Sequence, residues 1–487
     1  MKVLSATVIV NPPRKRGLLL ATLLLFILLT ACTGYRPRPL PDAAPLAENL
    51  AALQVKATTL RNTPPRRYEI NLADGLDLTE AGILAVLNNP ALNVQRAKLG
   101  VAGAQAFAAG LLPDPEISAS VDRPTGNADP VNAWGLGFSY DLIALITHQA
   151  AMDAGRQGQE KLRLDLLWRE WRLIQEARSL AVRLYMEKQQ LTMLRKLRDL
   201  QREHYQRSAR ALQRGDITLE ASGTKLTALL DTRSRINRLE QRHNQSHHRF
   251  SLALGLDPQV VINIAPLPPL TPLAAGLIRA RLAKLAEVRP DLLALKAGYT
   301  RQEARVRAAI LAQFPRLSIG INRARDTGNV DTIGLGLSLS LPVLSGNRGH
   351  IAIARATRTQ LQAEYQARLA RTTVDIDRLQ AQQALIRRQQ SQLATYLPPL
   401  KALLTDARRA YRQGDLDALA LLKLETTWTN KALEQLRLEQ AGWENRIELE
   451  ALLALPGHPE QALLQEESAP AEHSSPQRRT ATVSALE

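Results

Sequence analysis

The stretch "TIGLGLSLSLPVL", Thr332 to Leu344, alternates large apolar residues with glycine or serine almost without error. Ile333, Leu335, Leu337, Leu339 and Leu341 fall on one face of an extended chain, and Gly334, Gly336, Ser338 and Ser340 on the other. A half-buried strand of a soluble sheet normally carries charge on its wet face, and this one carries none. Strands of about ten residues with one apolar face and one small or polar face are the pattern of membrane β-barrels, the apolar side toward lipid. For any single strand the alternative stands that its leucines are buried against a core.

The stretch does not stand alone. "NNPALNVQRAKLGVAGAQAFAAGLLPDPEISASVDR" aligns with "VRPDLLALKAGYTRQEARVRAAILAQFPRLSIGINR", with Pro90 and Pro115 opposite Pro290 and Pro315. "WGLGFSYDL" (Trp134 to Leu142) matches "IGLGLSLSL" (Ile333 to Leu341), and "RALQRGDITLEASGTKL" matches "RAYRQGDLDALALLKLE", which sets Gly215 against Gly414. A period near 200 residues is far longer than a solenoid unit, so the chain is a duplicated half-molecule. Each half reads as a helical segment ending at a proline, then a strand (Ile117, Ala119 and Val121, or Leu317, Ile319 and Ile321), then a polar loop with "TGN". The second strand of the hairpin follows, then a heptad-like helix of about 65 residues, a glycine turn and a helix of about 38. A helix of 65 residues is about 100 Å long and needs neighbours along its whole extent. Four strands leave open edges, which lipid does not tolerate, and closed barrels begin at about eight strands, so the chain must oligomerise. Strand counting alone admits two or more copies.

Composition agrees with long helices: 45% of the 487 residues are hydrophobic but only 4% aromatic. The formal net charge is +17, yet no block of six like charges and no aromatic–arginine alternation occurs, so nucleic acid is not an expected partner. Arg14, Lys15 and Arg16 precede "GLLLATLLLFILLTAC", an apolar run of about 15 residues that suits an export signal rather than a membrane span. The ending "LTAC" resembles the bacterial lipoprotein processing box, which implies a lipid (palmitate among its acyl chains) on Cys32, the only cysteine. Thr33, where an aspartate would be a retention signal, favours sorting to the outer membrane by the same resemblance. Removal of residues 1–31 takes Lys2, Arg14, Lys15 and Arg16 and no acid, leaving +13. The expected organisation is a signal peptide over 1–31, a lipidated proline-rich tether over 32–74, repeats over 75–265 and 266–455, and a disordered tail over 456–487.

Lipobox, duplicated helix–strand–loop–strand–helix halves and two "Q-x-G-D"-like turns together resemble the TolC-type outer-membrane efflux channels, in particular their lipoprotein branch. The resemblance covers about residues 75–455. It implies a fold that is mainly α with a β-barrel part, in which a homotrimer builds a twelve-stranded transmembrane barrel continued by a long α-helical barrel through the periplasm. It implies a passive exit duct for a tripartite efflux or type I secretion system, docking a periplasmic adaptor and an inner-membrane pump.

The candidate site residues lie at the turns "RGDIT" and "QGDLD". Gly215 and Gly414 sit where a left-handed helix C-cap is wanted, and Asp216 and Asp415 follow in positions suited to capping the next helix. The resemblance makes these turns the adaptor-docking tips and the second one the periplasmic gate, with Tyr411, Arg412, Asp415 and Asp417 as gate residues. Relatives often carry an acidic ring six and nine residues past the second glycine; here those positions are Ala420 and Lys423. A cation-selective ring would have to use Asp415, Asp417 or Glu425, or else it is absent. Trp134, Phe138 and Tyr140 could anchor at a membrane interface, although their second-half counterparts are aliphatic.

Enzyme chemistry is not indicated. "HNQSHH" places His243 and His247 at i, i+4, a spacing that can bind zinc, but no cysteine or well-spaced acid completes a set, so neither metal nor cofactor is expected. No phosphate-binding glycine loop or nucleophile elbow occurs, and "SGTK" (Ser222 to Lys225) is a match of composition only. The rival reading is a periplasmic coiled-coil adaptor lipoprotein, which would carry one helical hairpin rather than two hairpins of membrane type. A basic coiled coil that binds nucleic acid conflicts with the export signal.

Overall fold

The chain divides into two units, Met1–Pro45 and Leu46–Glu487. The computed structural model describes residues 35–53, 70–71, 74–125, 131–342 and 344–455. In the first unit the described residues, 35–45, hold neither helix nor strand. The export signal, Cys32 and the tail over 456–487 lie outside the described residues. Among the described residues, every helix and strand lies in the second unit.

Its elements run in duplicate. Helices α1 (Leu78–Asn88) and α2 (Pro90–Ala109) lead to strands β1 (Glu116–Asp122) and β2 (Ala133–Asp141), then to α3 (Leu142–Gln213) and α4 (Leu219–Leu254). Short helices α5 (Ala275–Ala283) and α6 (Leu285–Val288) open the second half. Next come α7 (Pro290–Leu311), β3 (Arg316–Arg325), β4 (Asp331–Ser340), α8 (Arg348–Gln413) and α9 (Ala418–Leu453). The 72 residues of α3 span about 108 Å and the 66 of α8 about 99 Å. Each starts at the end of a strand and finishes at a glycine turn, from which a 36-residue helix returns about halfway.

The expected helical segment before each strand is broken rather than continuous, and proline is the reason. Pro90 and Pro290 each occupy the first turn of a helix, where the missing N–H is harmless, and each prevents the preceding helix from running on. Asn89 caps α2 by accepting from the Leu92 N–H at 3.1 Å, while its own amide donates to the Ala253 carbonyl at 3.1 Å, tying α2 to the end of α4. Ahead of it, Asp77 and Glu80 form a reciprocal capping box for α1, with contacts of 2.7 and 3.0 Å. Burial raises the Glu80 carboxyl above its ordinary range.

The core sits midway along the long helices. Ala81, Leu84 and Ala85 of α1 meet Ala177, Ala181 and Val182 of α3, with Phe250, Leu254 and Ile447 closing the cluster. Alanine on facing helices lets them approach closely, and Phe250 is fully enclosed. Two buried guanidiniums fasten the same zone. Arg178 of α3, 1% exposed, reaches Glu450 of α9 at 2.8 Å and Gln175 at 2.8 Å, and Glu450 also accepts from Arg446 at 2.8 Å. Arg289 pairs with Asp291 at 2.6 Å, donates to Thr372 at 2.9 Å and lies 4.5 Å from the Trp168 ring centroid. Within the tether expected over 32–74, the described residues are anchored at Ala47 and Leu53. Ala47 exchanges backbone hydrogen bonds with Gly255 and Asp257 at 2.9 Å, and Leu53 is buried in the core.

Inside α8, Pro398 and Pro399 stand side by side. Proline has no N–H to offer, so the carbonyls of Ala394 and Thr395 receive no helical hydrogen bond from positions 398 and 399.

Candidate functional site

The four strands form one antiparallel sheet in the order β1-β2-β3-β4. Ile117 faces Phe138, which faces Ile321, which faces Leu335; in the next row Tyr140 faces Ile319, which faces Leu337. Both hairpins therefore place their large residues on one common surface. That surface is open: Ile333, Leu335 and Leu337 are 77%, 76% and 68% exposed, and Ile117, Val121 and Ile321 are exposed as well. Among the described residues no core covers it, unlike the leucines of a half-buried soluble strand. From Ile333 to Leu341 it runs roughly 27 Å along the strand, close to the ~25 Å apolar band of an outer-membrane barrel.

Charge gathers at the hairpin end of the same face. The Arg323 guanidinium lies 5.9 Å from the Trp134 ring centroid, and Arg325 reaches Asp331 at 2.9 Å. The opposite face holds Ser118, Ser120, Gly135, Gly137, Ser139, Gly320, Gly334 and Gly336 in adjoining rows. A Cβ added at Gly137 would stand 2.5 Å from Ser118 Oγ, a side chain that can turn away, whereas one at Gly320 would stand 2.7 Å from the Phe138 carbonyl oxygen. At Gly320 glycine is a requirement of close approach rather than of backbone angle. Among the described residues, β1 and β4 each have one edge with no partner strand.

The two helix turns lie at the opposite end from the sheet, at one level, since Arg207 near the end of α3 donates to the Tyr411 hydroxyl at 3.2 Å. Both turns are built alike. Gly215 (φ +79°) and Gly414 (φ +88°) adopt the left-handed conformation, and the N–H groups of Asp216 and Asp415 reach back to the carbonyls of Ala211 and Ala410 at 2.9 Å. The expectation that Asp216 and Asp415 cap the next helix is corrected: the caps are Thr218, accepting from the Ala221 N–H at 3.2 Å, and Asp417, accepting from the Leu419 N–H at 3.1 Å. The cap falls later because two residues, Asp216 and Ile217 or Asp415 and Leu416, complete the reversal after the glycine. Asp216 instead pairs with Arg214 at 2.8 Å. Asp415, Asp417 and Arg412 are exposed, and Tyr411 is half-buried against Leu404, Ala407 and Leu421.

Glu425 is a second correction. It is 6% exposed and held by Arg408 at 3.0 Å, so it faces the helix packing and not a water-filled space. Its surroundings include His204, whose imidazole is held below its usual value by burial, with Glu425 pulling the other way. Neither partner was singled out in the sequence. The signal was there, since Glu425 lies four residues after Leu421 and four before Thr429, all buried on one helical stripe. The histidine motif separates in the fold. His247 Nε2 is 3.1 Å from the Val260 carbonyl, whereas His243 Nδ1 is 3.5 Å from buried Glu187. Among the described residues no group of three metal-ligating side chains forms, and no helix is long and apolar enough to cross a membrane.

These features define a class of fold, and solved structures share it. The chain is similar to the outer membrane channel CmeC of Campylobacter jejuni, with 16% sequence identity over 90% of this chain and 98% of that one and a TM-score of 0.67. It is similar to the open state of the MtrE outer membrane channel of Neisseria gonorrhoeae, with 16% identity, coverage of 87% and 98%, and a TM-score of 0.61. It is also similar to CusC, a protein described for its folding and transmembrane channel formation, with 20% identity, coverage of 79% and 95%, and a TM-score of 0.63. The fold is thus that of the outer-membrane channels, as the resemblance to TolC-type channels implies. The adaptor reading finds no support in it. No protein-family model and no curated protein matches the sequence.

Proposed function

We propose that the protein is the outer-membrane exit duct of a tripartite efflux or type I secretion system. Three copies close a twelve-stranded barrel, each β4 edge pairing with the β1 edge of the next copy, and the long helices continue the bore into the periplasm. Lipid on Cys32 adds an anchor at the membrane. The duct is passive and has no active site of its own; a pump in the inner membrane supplies the energy, and an adaptor docks at Gly215, Asp216, Gly414 and Asp415. Tyr411, Arg412, Asp415 and Asp417 line the constriction there, and the Arg207–Tyr411 hydrogen bond ties the closed arrangement across the two helix pairs.

One observation carries this reading: a four-stranded sheet with an exposed apolar face and two free edges. Such a surface is stable only in lipid, and such edges only when paired. The test is the mass of the acylated protein extracted from membranes in mild detergent. Three copies are expected. A single copy that stays in buffer without detergent overturns the proposal.

A further inference from the structure

We infer that the helix-turn end of this conduit is an anion-attracting entrance and that the solutes it admits are anionic. The inference rests on the conduit reading for the place of the entrance, and on the charges in the structure for its sign. Over residues 380–413, α8 carries Arg387, Arg388, Lys401, Arg408, Arg409 and Arg412, all exposed, against one carboxylate, Asp406. The end of α3 is similar, with seven cations over residues 195–214 against Asp199 and Glu203. Together residues 195–240 and 395–437 hold eighteen lysines and arginines against eleven aspartates and glutamates.

The pairing makes the imbalance sharper. Asp406 is met by Arg409 at 3.6 Å, Glu203 by Arg207 at 2.5 Å, Asp199 by Arg198 at 2.8 Å and Asp216 by Arg214 at 2.8 Å. Glu425 is withdrawn from water by its burial and its contact with Arg408. Asp417 accepts from the Leu419 N–H and keeps its charge. Among the described residues Lys196, Arg210, Arg387, Arg388, Lys401 and Arg412 have no ion-pair partner, and Lys423 is exposed on α9. Asp415, Asp417, Glu220 and Asp231 are the carboxylates that remain to oppose them.

Unpaired cations cannot be buried between copies without a desolvation penalty of several kcal/mol each, so they stay in water, in the bore, around its mouth or on the outer wall. Arg412 and Arg210, two and five residues from the turn glycines, lie at the mouth, within about a Debye length, roughly 8 Å at physiological salt, of the path a solute takes into a narrow opening. Arg387 and Arg388, about 40 Å along α8 from Gly414, act on the solute from inside the bore. Like-signed walls of low dielectric focus the field and concentrate counter-ions at the opening. Symmetry multiplies the effect, because every copy in the ring presents the same strip.

The test uses the full-length acylated protein in planar lipid bilayers under a KCl gradient. A reversal potential showing chloride preferred over potassium is expected. That preference should fade toward 1 M salt, where the Debye length falls to about 3 Å. The variant R387E/R388E/K401E/R412E should lower the anion-to-cation permeability ratio by roughly tenfold, the lower end of what a focused field does to local ion concentration. All four positions are exposed, and the mass of the extracted oligomer checks assembly. Potassium preference in the unaltered protein, or an anion preference untouched by the charge reversal, overturns the inference while leaving the conduit standing. If the bilayer is silent although three copies assemble, binding of a trisulfonated pyrene dye and of a cationic phenanthridinium dye to the detergent-extracted protein decides. Retention of the anionic dye, lost in the variant, supports the inference, and equal retention of both dyes sinks it. A silent bilayer with a single copy in detergent overturns the conduit reading itself.

Discussion

Replacing Leu337 by arginine separates lipid from water as the medium around the sheet. Leu337 lies in the middle of β4, opposite Ile319 and between Leu335 and Leu339 on the open face. It is 68% exposed, so about a third of its surface touches protein. Fully burying a leucine contributes about 1.5–3 kcal/mol, so in water the lost packing amounts to roughly 0.5–1 kcal/mol. In a bilayer an arginine on the outer face of a barrel near the midplane costs about 2–4 kcal/mol instead. That shifts the folding equilibrium of each copy by about thirtyfold to nearly a thousandfold. Ser338→Arg, one residue on and facing the other way, is the control and should cost under about 1 kcal/mol if that face is wet. The assay is urea titration of the protein folded into liposomes, followed by the summed fluorescence of the five tryptophans and by the oligomer band on gels. If the two variants unfold at the same urea concentration, or if Leu337→Arg is the milder one, the lipid assignment of this face is refuted.

Arg178→Met should destabilise the unit by about 3–5 kcal/mol by leaving Glu450 buried with Arg446 as its remaining cation; chemical denaturation measures it, and Glu450→Met in the same chain should restore much of the loss. Gly414→Ala should cost roughly 1–2 kcal/mol, because an alanine at φ +88° is strained although open space surrounds it. Faster hydrogen exchange confined to residues 405–425 is the expected readout, and no change would mean the turn adjusts freely. For pH the sign follows from His204. Burial keeps the folded imidazole below its ordinary value against the pull of Glu425 and Glu203, with Arg207 and Lys225 acting in the same direction as burial. The unfolded chain then takes up the proton first, so stability is full above about pH 6.5 and declines as pH falls through that value. Thermal unfolding at pH 7.5 and 5.5 should show the decline, and His204→Gln should flatten it; an equal decline in the variant would assign the effect to other groups.

Most of the fold was readable from local pattern, because period-2 and heptad spacing are properties of neighbouring residues. The strands at Ile117–Val121 and Leu317–Ile321, the alternation from Ile333 to Leu341 and the two glycine turns all follow from spacing alone. What was not readable depends on contacts made at long sequence distance. Nothing near Leu53 announces that it docks into a core built from α1, α3 and α4. Arg178 looks like any helical arginine until Glu450, 272 residues away, arrives beside it. The spacing that offers Glu425 to an acidic ring does not show Arg408, its partner across the turn, and the position of Asp216 and Asp415 right after the glycines does not show how far the reversal runs before the cap. At the tips the residue types were legible and their roles were not.

The inner face of the sheet has one more consequence. Serine has a single short rotor and glycine none, so the rows they fill have almost no side-chain motion with which to widen or narrow. The bore there is then fixed by how many strands surround it, and diameter grows with strand number. Outside the longer side chains of the same face, Glu116, Asp122, Asp141 and Asn322, point substitution can only obstruct the passage. A roomier conduit would have to come from an additional hairpin or an additional copy in the ring.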